Sequence, residues 1–306
     1  TSDRVAEDLE QVRRALGYER LILWGGSFGT RVAQTYARRH PDRVQAMILD
    51  GVVPFDFTAP LNYASTLQQS VDRLLASCRA RRTCHDSFPN LDAQWKSLVE
   101  KVRAGPVQTR VTPPGRPPVE VTMHLGDFGY GVRGILYRAD QSRRLPAMIE
   151  AAARTGDLSD FAQRYWGRAA DFEEDFAEGL HLAVFCSEEI PFIREADVPV
   201  ATTRSFLGTY LIDEYRGACQ GWPRAPMDPS FRRPLQAPVP TLLVSGYFDP
   251  VTPPEMAERV ARHLPVHRHL VDSAAHHGAS FGCARPAVLH VLSRGTLEGL
   301  PVVCGR

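Results

Sequence analysis

Apolar and polar positions alternate along this chain in blocks that predict strands followed by helices. Leu21 to Trp24 form an unbroken apolar run that leads into Gly25-Gly26-Ser27-Phe28-Gly29-Thr30. A short apolar run bounded by glycines predicts a buried parallel strand. Thr30 to Arg39 predicts a helix, stopped at His40-Pro41 because the residue before a proline is pushed out of the helical region. Met47 to Asp50 and Val239 to Gly246 predict two more strands, and His267 to Val271 a further one after a helix from Glu255 to His263. Between these groups the pattern changes. Leu61 to Ala80 and Leu91 to Arg103 carry apolar residues at helical spacing. Gly105 to Thr122 is rich in proline and valine, with Pro113-Pro114-Gly115 predicting a turn between two extended arms. Helices are predicted again around Gly126 to Arg138, Arg144 to Thr155 and Leu158 to Phe176. The organisation expected is therefore a mostly parallel α/β core, residues 1–54 and 238–306, with a largely helical cap, residues 55–237, inserted after the strand that follows the Thr30 to Arg39 helix. Such a cap would shape a pocket over Ser27 and exclude water from it.

The chemistry follows from the first block. A strand, G-x-S-x-G and a helix make a nucleophile elbow, in which the serine takes strained dihedrals and its hydroxyl stands clear of the sheet. Gly25 and Gly29 are expected to leave room where a Cβ would clash. A serine needs a base and a group to orient that base. In this arrangement the acid and then the histidine follow the serine along the chain. Asp249 stands just after a predicted strand, held extended by Pro250. His276-His277-Gly278 follows the last strand. His277 is preferred to His276 as the base because it immediately precedes Gly278. Asp272 is the rival to Asp249, but it lies close to the histidine loop in sequence. The N–H of Phe28, just after the nucleophile, is the expected oxyanion donor.

Charge and composition narrow the alternatives. Lys and Arg number 36 against 35 Asp and Glu, so the net charge is +1. That balance gives no reason to expect nucleic-acid or membrane binding, and no apolar run approaches a membrane span. The six cysteines are even in number. Cys78 and Cys84 flank a helix end and suit a local disulfide, and Cys283 and Cys304 bracket the last helix. Cys186 and Cys219 remain to join two parts of the middle region. Six buried free thiols in a cytosolic protein are the alternative. Paired cysteines instead point to export, so a secreted or periplasmic location is expected. None has a metal-type C-x-x-C spacing, and no metal or organic cofactor is expected. The acidic run Asp171, Glu173, Glu174, Asp175, Glu178 reads as a solvated helix face.

Several stretches resemble one family closely: Trp24 to Arg31, Tyr36-Ala37-Arg38-Arg39-His40-Pro41-Asp42-Arg43-Val44, Leu49-Asp50-Gly51-Val52-Val53-Pro54, Asp249-Pro250-Val251-Thr252-Pro253-Pro254, and His277-Gly278 with Gly282-Cys283. Together they resemble the secreted tripeptidyl-aminopeptidase and prolyl-aminopeptidase branch of the α/β-hydrolases. The resemblance runs over nearly the whole chain and is weakest between about residues 105 and 180. It implies the α/β-hydrolase fold, Ser27, Asp249 and His277 as the triad, and release of short peptides or single residues from free N-termini. It also implies that a glutamate after Cys186 meets the substrate's cationic amine. Glu188 is the expected residue, with Glu189 as runner-up, and a solvent-exposed acidic pair is the alternative. The family carries further strands and a His-Gly-Gly-Pro-Gly type oxyanion loop before the elbow, and no such loop occurs in this sequence. The sheet is thus expected to be incomplete on its N-terminal side, with Leu21 to Trp24 as an exposed apolar edge. Two expectations follow: a piece of a larger enzyme whose N-terminal segment is absent or is a separate partner chain, or a short protein with an incomplete oxyanion hole. The isolated chain is expected to turn over little substrate. A carboxylesterase, or an inactive relic, are the competing functions. A small carboxylate-lined pocket would favour the peptidase, and an open apolar trough the esterase.

Overall fold

The computed structural model describes residues 1–166 and 177–304. Helix α1 (Ser2–Ala15) leads to β1 (Leu21–Gly26), α2 (Phe28–Arg39) and β2 (Val44–Asp50). A helical region follows: α3 (Ala59–Ala80), α4 (Arg82–Ser87), α5 (Leu91–Ala104), the hairpin of β3 (Val107–Val111) and β4 (Val119–Met123), α6 (Leu125–Leu136), α7 (Ala139–Ser142) and α8 (Leu145–Thr155). It continues through α9 (described over 159–166), α10 (Glu178–Val184), α11 (Asp197–Thr202) and α12 (Tyr210–Ala218). The chain then returns through β5 (Thr241–Gly246), α13 (Pro254–Ala261), β6 (His267–Asp272) and α14 (Arg285–Arg294). The acidic run Asp171 to Asp175 and the end of the predicted 158–176 helix lie outside the described residues.

Among the described residues, four strands form one parallel sheet in the order β1-β2-β5-β6, separate from the antiparallel β3–β4 hairpin. Alternate residues of β2 show why it is covered on both faces. Met47 and Leu49 pack with Ala33, Tyr36 and Ala37 of α2 and with Ala257 and Val260 of α13. Ala46 and Ile48 pack on the other face with Ala287, Val288 and Val291 of α14. A period of two on a strand sends successive side chains to opposite faces, so both must be apolar when helices cover both. β1 is an outer strand among the described residues, and Trp24 on it is 43% exposed beside Phe281.

The inserted region has its own core, in which Trp95, Phe128, Phe161 and Phe206 meet ring to ring. Gly131 is required there: a Cβ would sit 2.5 Å from the Phe161 carbonyl oxygen of α9. Three disulfides join Cys78 to Cys84, Cys186 to Cys219 and Cys283 to Cys304. Asp272, Cys283 and Cys304 are grouped closely enough for a metal, but both sulfurs are committed to one disulfide and offer no thiolate. No helix among the described residues is long and apolar enough to cross a membrane.

Candidate active site

Ser27 sits between β1 and α2 with φ 53° and ψ −121°, well outside the regions open to an ordinary side chain. Two features hold it there. Its N–H donates to the Asp50 carbonyl at the end of β2 (2.8 Å), and its own carbonyl accepts from the Thr30 N–H (2.9 Å) and hydroxyl (2.6 Å). The glycine pattern acts differently from expectation. A Cβ on Gly25 would lie 2.3 Å from the Gly29 carbonyl oxygen, whereas a Cβ on Gly29 would meet nothing within 4 Å. The first turn of α2 crowds β1, so only Gly25 must be bare.

Asp249 and His277 come together from the two loops after β5 and β6. The Asp249 carboxylate is 1% exposed. Its Oδ1 accepts the N–H groups of Val251 (2.8 Å) and Thr252 (2.9 Å). Its Oδ2 accepts the Thr252 hydroxyl (2.8 Å) and His277 Nδ1–H (2.8 Å). Burial works against the carboxylate's charge. The imidazolium beside it and these hydrogen bonds outweigh burial and hold Asp249 below the usual aspartate range. Burial likewise opposes charge on His277, but Asp249 outweighs it and the imidazole is raised to about 9. With Nδ1 donating to Asp249, Nε2 is the nitrogen left to accept a proton. His276 does something else: its Nδ1 meets the Leu136 carbonyl at the end of α6 (2.7 Å), and its ring stacks on Phe248. Asp272 accepts the N–H groups of Ala274 and Cys283. Of the candidate histidines and acids, the fold joins His277 to Asp249 and gives His276 and Asp272 other partners.

Ser27 and Phe28 line a cavity of about 580 Å³ between the elbow and the inserted helices. Its walls are largely aromatic, including Tyr63, Tyr137, Phe185 and Tyr215. Tyr137 bridges the cavity and the base, its ring centroid 4.8 Å from that of His277. Arg133 donates to the Tyr137 hydroxyl (3.1 Å) and lies over the Tyr63 ring. Burial opposes ionisation of the Tyr137 phenol, but the Arg133 charge outweighs it and keeps the phenol below its ordinary value. The inserted region also braces the acid loop: Thr66 and Ser70 of α3 donate to the carbonyls of Pro250 (2.9 Å) and Phe248 (2.7 Å). Arg133, Tyr137 and Thr252 were not legible as site residues. An arginine in the otherwise apolar Phe128 to Leu136 segment was the one available signal.

Glu188 and Glu189 require a correction. Both are buried, and neither lines the cavity. Glu188 accepts the N–H and hydroxyl of Ser2, satisfying the start of α1. Glu189 pairs with Arg31 and accepts the Ala59 N–H at the start of α3. The reason is α2: it buries the Arg31 guanidinium, which needs a counter-charge. They are neither substrate ligands in this arrangement nor a solvated pair.

Residues 1–87 match the family pattern described as alpha/beta hydrolase fold, and residues 204–304 match that of the TAP-like proteins. The chain has the α/β-hydrolase fold. Among curated relatives, Serine protease Hip1 of Mycobacterium tuberculosis (strain ATCC 25618 / H37Rv) is 28% identical over 275 residues, 85% of this chain and 52% of that protein. Putative hydrolase YuaR of Escherichia coli (strain K12) is 32% identical over 113 residues, 35% of this chain and 23% of its own. Proline iminopeptidase of Neisseria gonorrhoeae is 42% identical over 52 residues, 17% of this chain and 16% of its own. The chain thus spans about half the length of the first of these relatives.

Proposed function

We propose that this chain carries the nucleophile, base and acid of a serine hydrolase that cleaves peptides from a free N-terminus. The observation that carries the reading is a strained Ser27 lining an aromatic cavity whose Tyr137 packs against the buried Asp249–His277 pair. Ser27 Oγ attacks the substrate carbonyl while His277 Nε2 takes its proton. The Phe28 N–H, at the start of α2 where N–H groups have no helical partner, faces the developing oxyanion. The C–N bond then breaks, and His277 returns the proton to the leaving amine. Water attacks the acyl-enzyme, loses a proton to His277, and Ser27 Oγ recovers it as the acid leaves. The names of the relatives, a serine protease and a proline iminopeptidase, support peptide substrates. Three disulfides support a secreted or periplasmic location. An N-terminal segment supplied as a separate chain remains part of the proposal, as the source of the second oxyanion donor.

The cavity favours a second reading, a carboxylesterase. Its described lining is aromatic, with arginines and no carboxylate to meet a substrate amine. The test is fluorophosphonate labelling of the full-length natural protein, with Ser27→Ala as control. Aminoacyl and tripeptidyl amides are then compared with p-nitrophenyl esters by kcat/KM. Labelling at Ser27 with faster amide turnover supports the peptidase, and ester turnover alone supports the esterase. Absence of labelling overturns both.

A further inference from the structure

We infer that Asp50 is a positioning residue that ties the nucleophile elbow and the histidine loop to the same strand end. The inference rests on the reading of Ser27 and His277 as nucleophile and base. Asp50 closes β2, is 5% exposed and uses every acceptor it has on these two elements. Its main-chain carbonyl accepts the Ser27 N–H (2.8 Å). Its Oδ1 accepts the Ala279 N–H (2.9 Å) and its Oδ2 the Ser280 N–H (2.8 Å). No cation lies within ion-pair distance of it among the described residues, so its charge is held by those two amides. A buried carboxylate kept in this way is costly unless both oxygens are satisfied.

The next residue completes the device. Gly51 has φ 65°, and a Cβ there would meet Thr252 Oγ1 at 2.8 Å and His277 Cε1 at 3.3 Å. The Asp50-Gly51 step therefore forms a floor under the imidazole. Gly278, with φ 83°, turns the chain directly from His277 into the two amides that Asp50 holds. Ser27 is fixed by the Asp50 main chain and His277 by its side chain, so the carboxylate can be altered without removing the elbow's own tie.

The experiment is Asp50→Asn in the full-length natural protein. Asparagine can accept one amide but sets an NH₂ against the other. A loop displaced by about 1 Å should slow fluorophosphonate labelling and kcat about a hundredfold, with KM little changed. The titratable groups that act on the His277 charge are Asp249, Tyr137 and Asp50, with the neutral Thr252 hydroxyl beside its Nδ1. Removing the Asp50 charge should move the acid limb of the pH–rate profile to lower pH, which a merely structural role would not do. Labelling within twofold of the parent with an unmoved acid limb overturns the inference. If Asp50→Asn does not fold, Asp50→Glu is measured instead. It keeps the charge but displaces the acceptors, so slowed labelling with the parent acid limb is expected, and the parent rate overturns the inference. Absence of labelling in the parent protein is the separate failure of the hydrolase reading.

Discussion

Replacing Arg31 by methionine tests how the nucleophile helix is anchored. The Arg31 side chain is 1% exposed. Its Nη1 contacts Glu189 and lies 3.9 Å from Glu188, and its Nη2 donates to the carbonyls of Pro54 (3.2 Å) and Phe57 (3.0 Å). Methionine fills much of the volume but leaves two buried carboxylates without that cation. Removing one partner of a buried pair costs about 3 to 5 kcal/mol. Arg232, 4.0 Å from Glu189, partly compensates, so the loss should fall near the lower end. At roughly 2 °C per kcal/mol for a chain of this size, Tm should drop about 6 °C. Urea unfolding followed by tryptophan fluorescence would measure it, with Arg31→Met/Glu189→Gln as the control. Glutamine still accepts the Ala59 N–H without a charge, so the double variant should regain about 1 kcal/mol or more. Burial holds Glu188 above the usual glutamate range, so acidification should shrink the loss. A single variant within about 1 kcal/mol of the parent, or a double variant no better than the single, would refute the counter-charge argument.

Other outcomes follow from the same geometry. Because His277 is raised to about 9, the free imidazole should grow with pH and kcat/KM should climb about tenfold per pH unit below that value, and a flat profile from neutral pH would contradict it. The same shift stabilises the fold fully below about 6.5, and that stability should be lost as pH rises through about 9. Denaturation of His277→Gln should lack this slope. Gly25→Ala should cost more than about 3 kcal/mol or abolish soluble protein, while Gly29→Ala should cost under about 1, and equal losses in unfolding curves would contradict the crowding seen at Gly25 alone. Replacing Cys186 and Cys219 by serine opens a bridge spanning 33 residues and should cost about 3 to 4 kcal/mol, measured by thermal unfolding.

The sequence alone determined those parts of the protein that depend on local order. The apolar run into Gly25-Gly26-Ser27 specified the strand, the strained turn and the helix, because each needs only neighbouring residues. The period of three and four in Leu61 to Ala80 and Leu91 to Arg103 specified helices that the structure places at Ala59–Ala80 and Leu91–Ala104. Asp249 and the His276-His277 loop were legible because each follows a strand end, where a parallel sheet gathers its loops.

Tertiary structure decided which groups meet. Only packing of α6 against the histidine loop gave His276 to the Leu136 carbonyl and left His277 for Asp249. Glu188 and Glu189 show the same limit. A pair of carboxylates after an apolar stretch looks alike in sequence whether it awaits a substrate amine or a buried arginine. The choice fell to Arg31, distant in sequence, when α2 was buried against that segment. Arg133 and Tyr137, one helical turn apart at the end of α6, become a bridge from the cavity to His277 only once the inserted region lies over the sheet. Hydrogen bonds and charge pairing act over a few ångströms of space. The sequence orders residues along the chain, and those few ångströms are set when the elements pack.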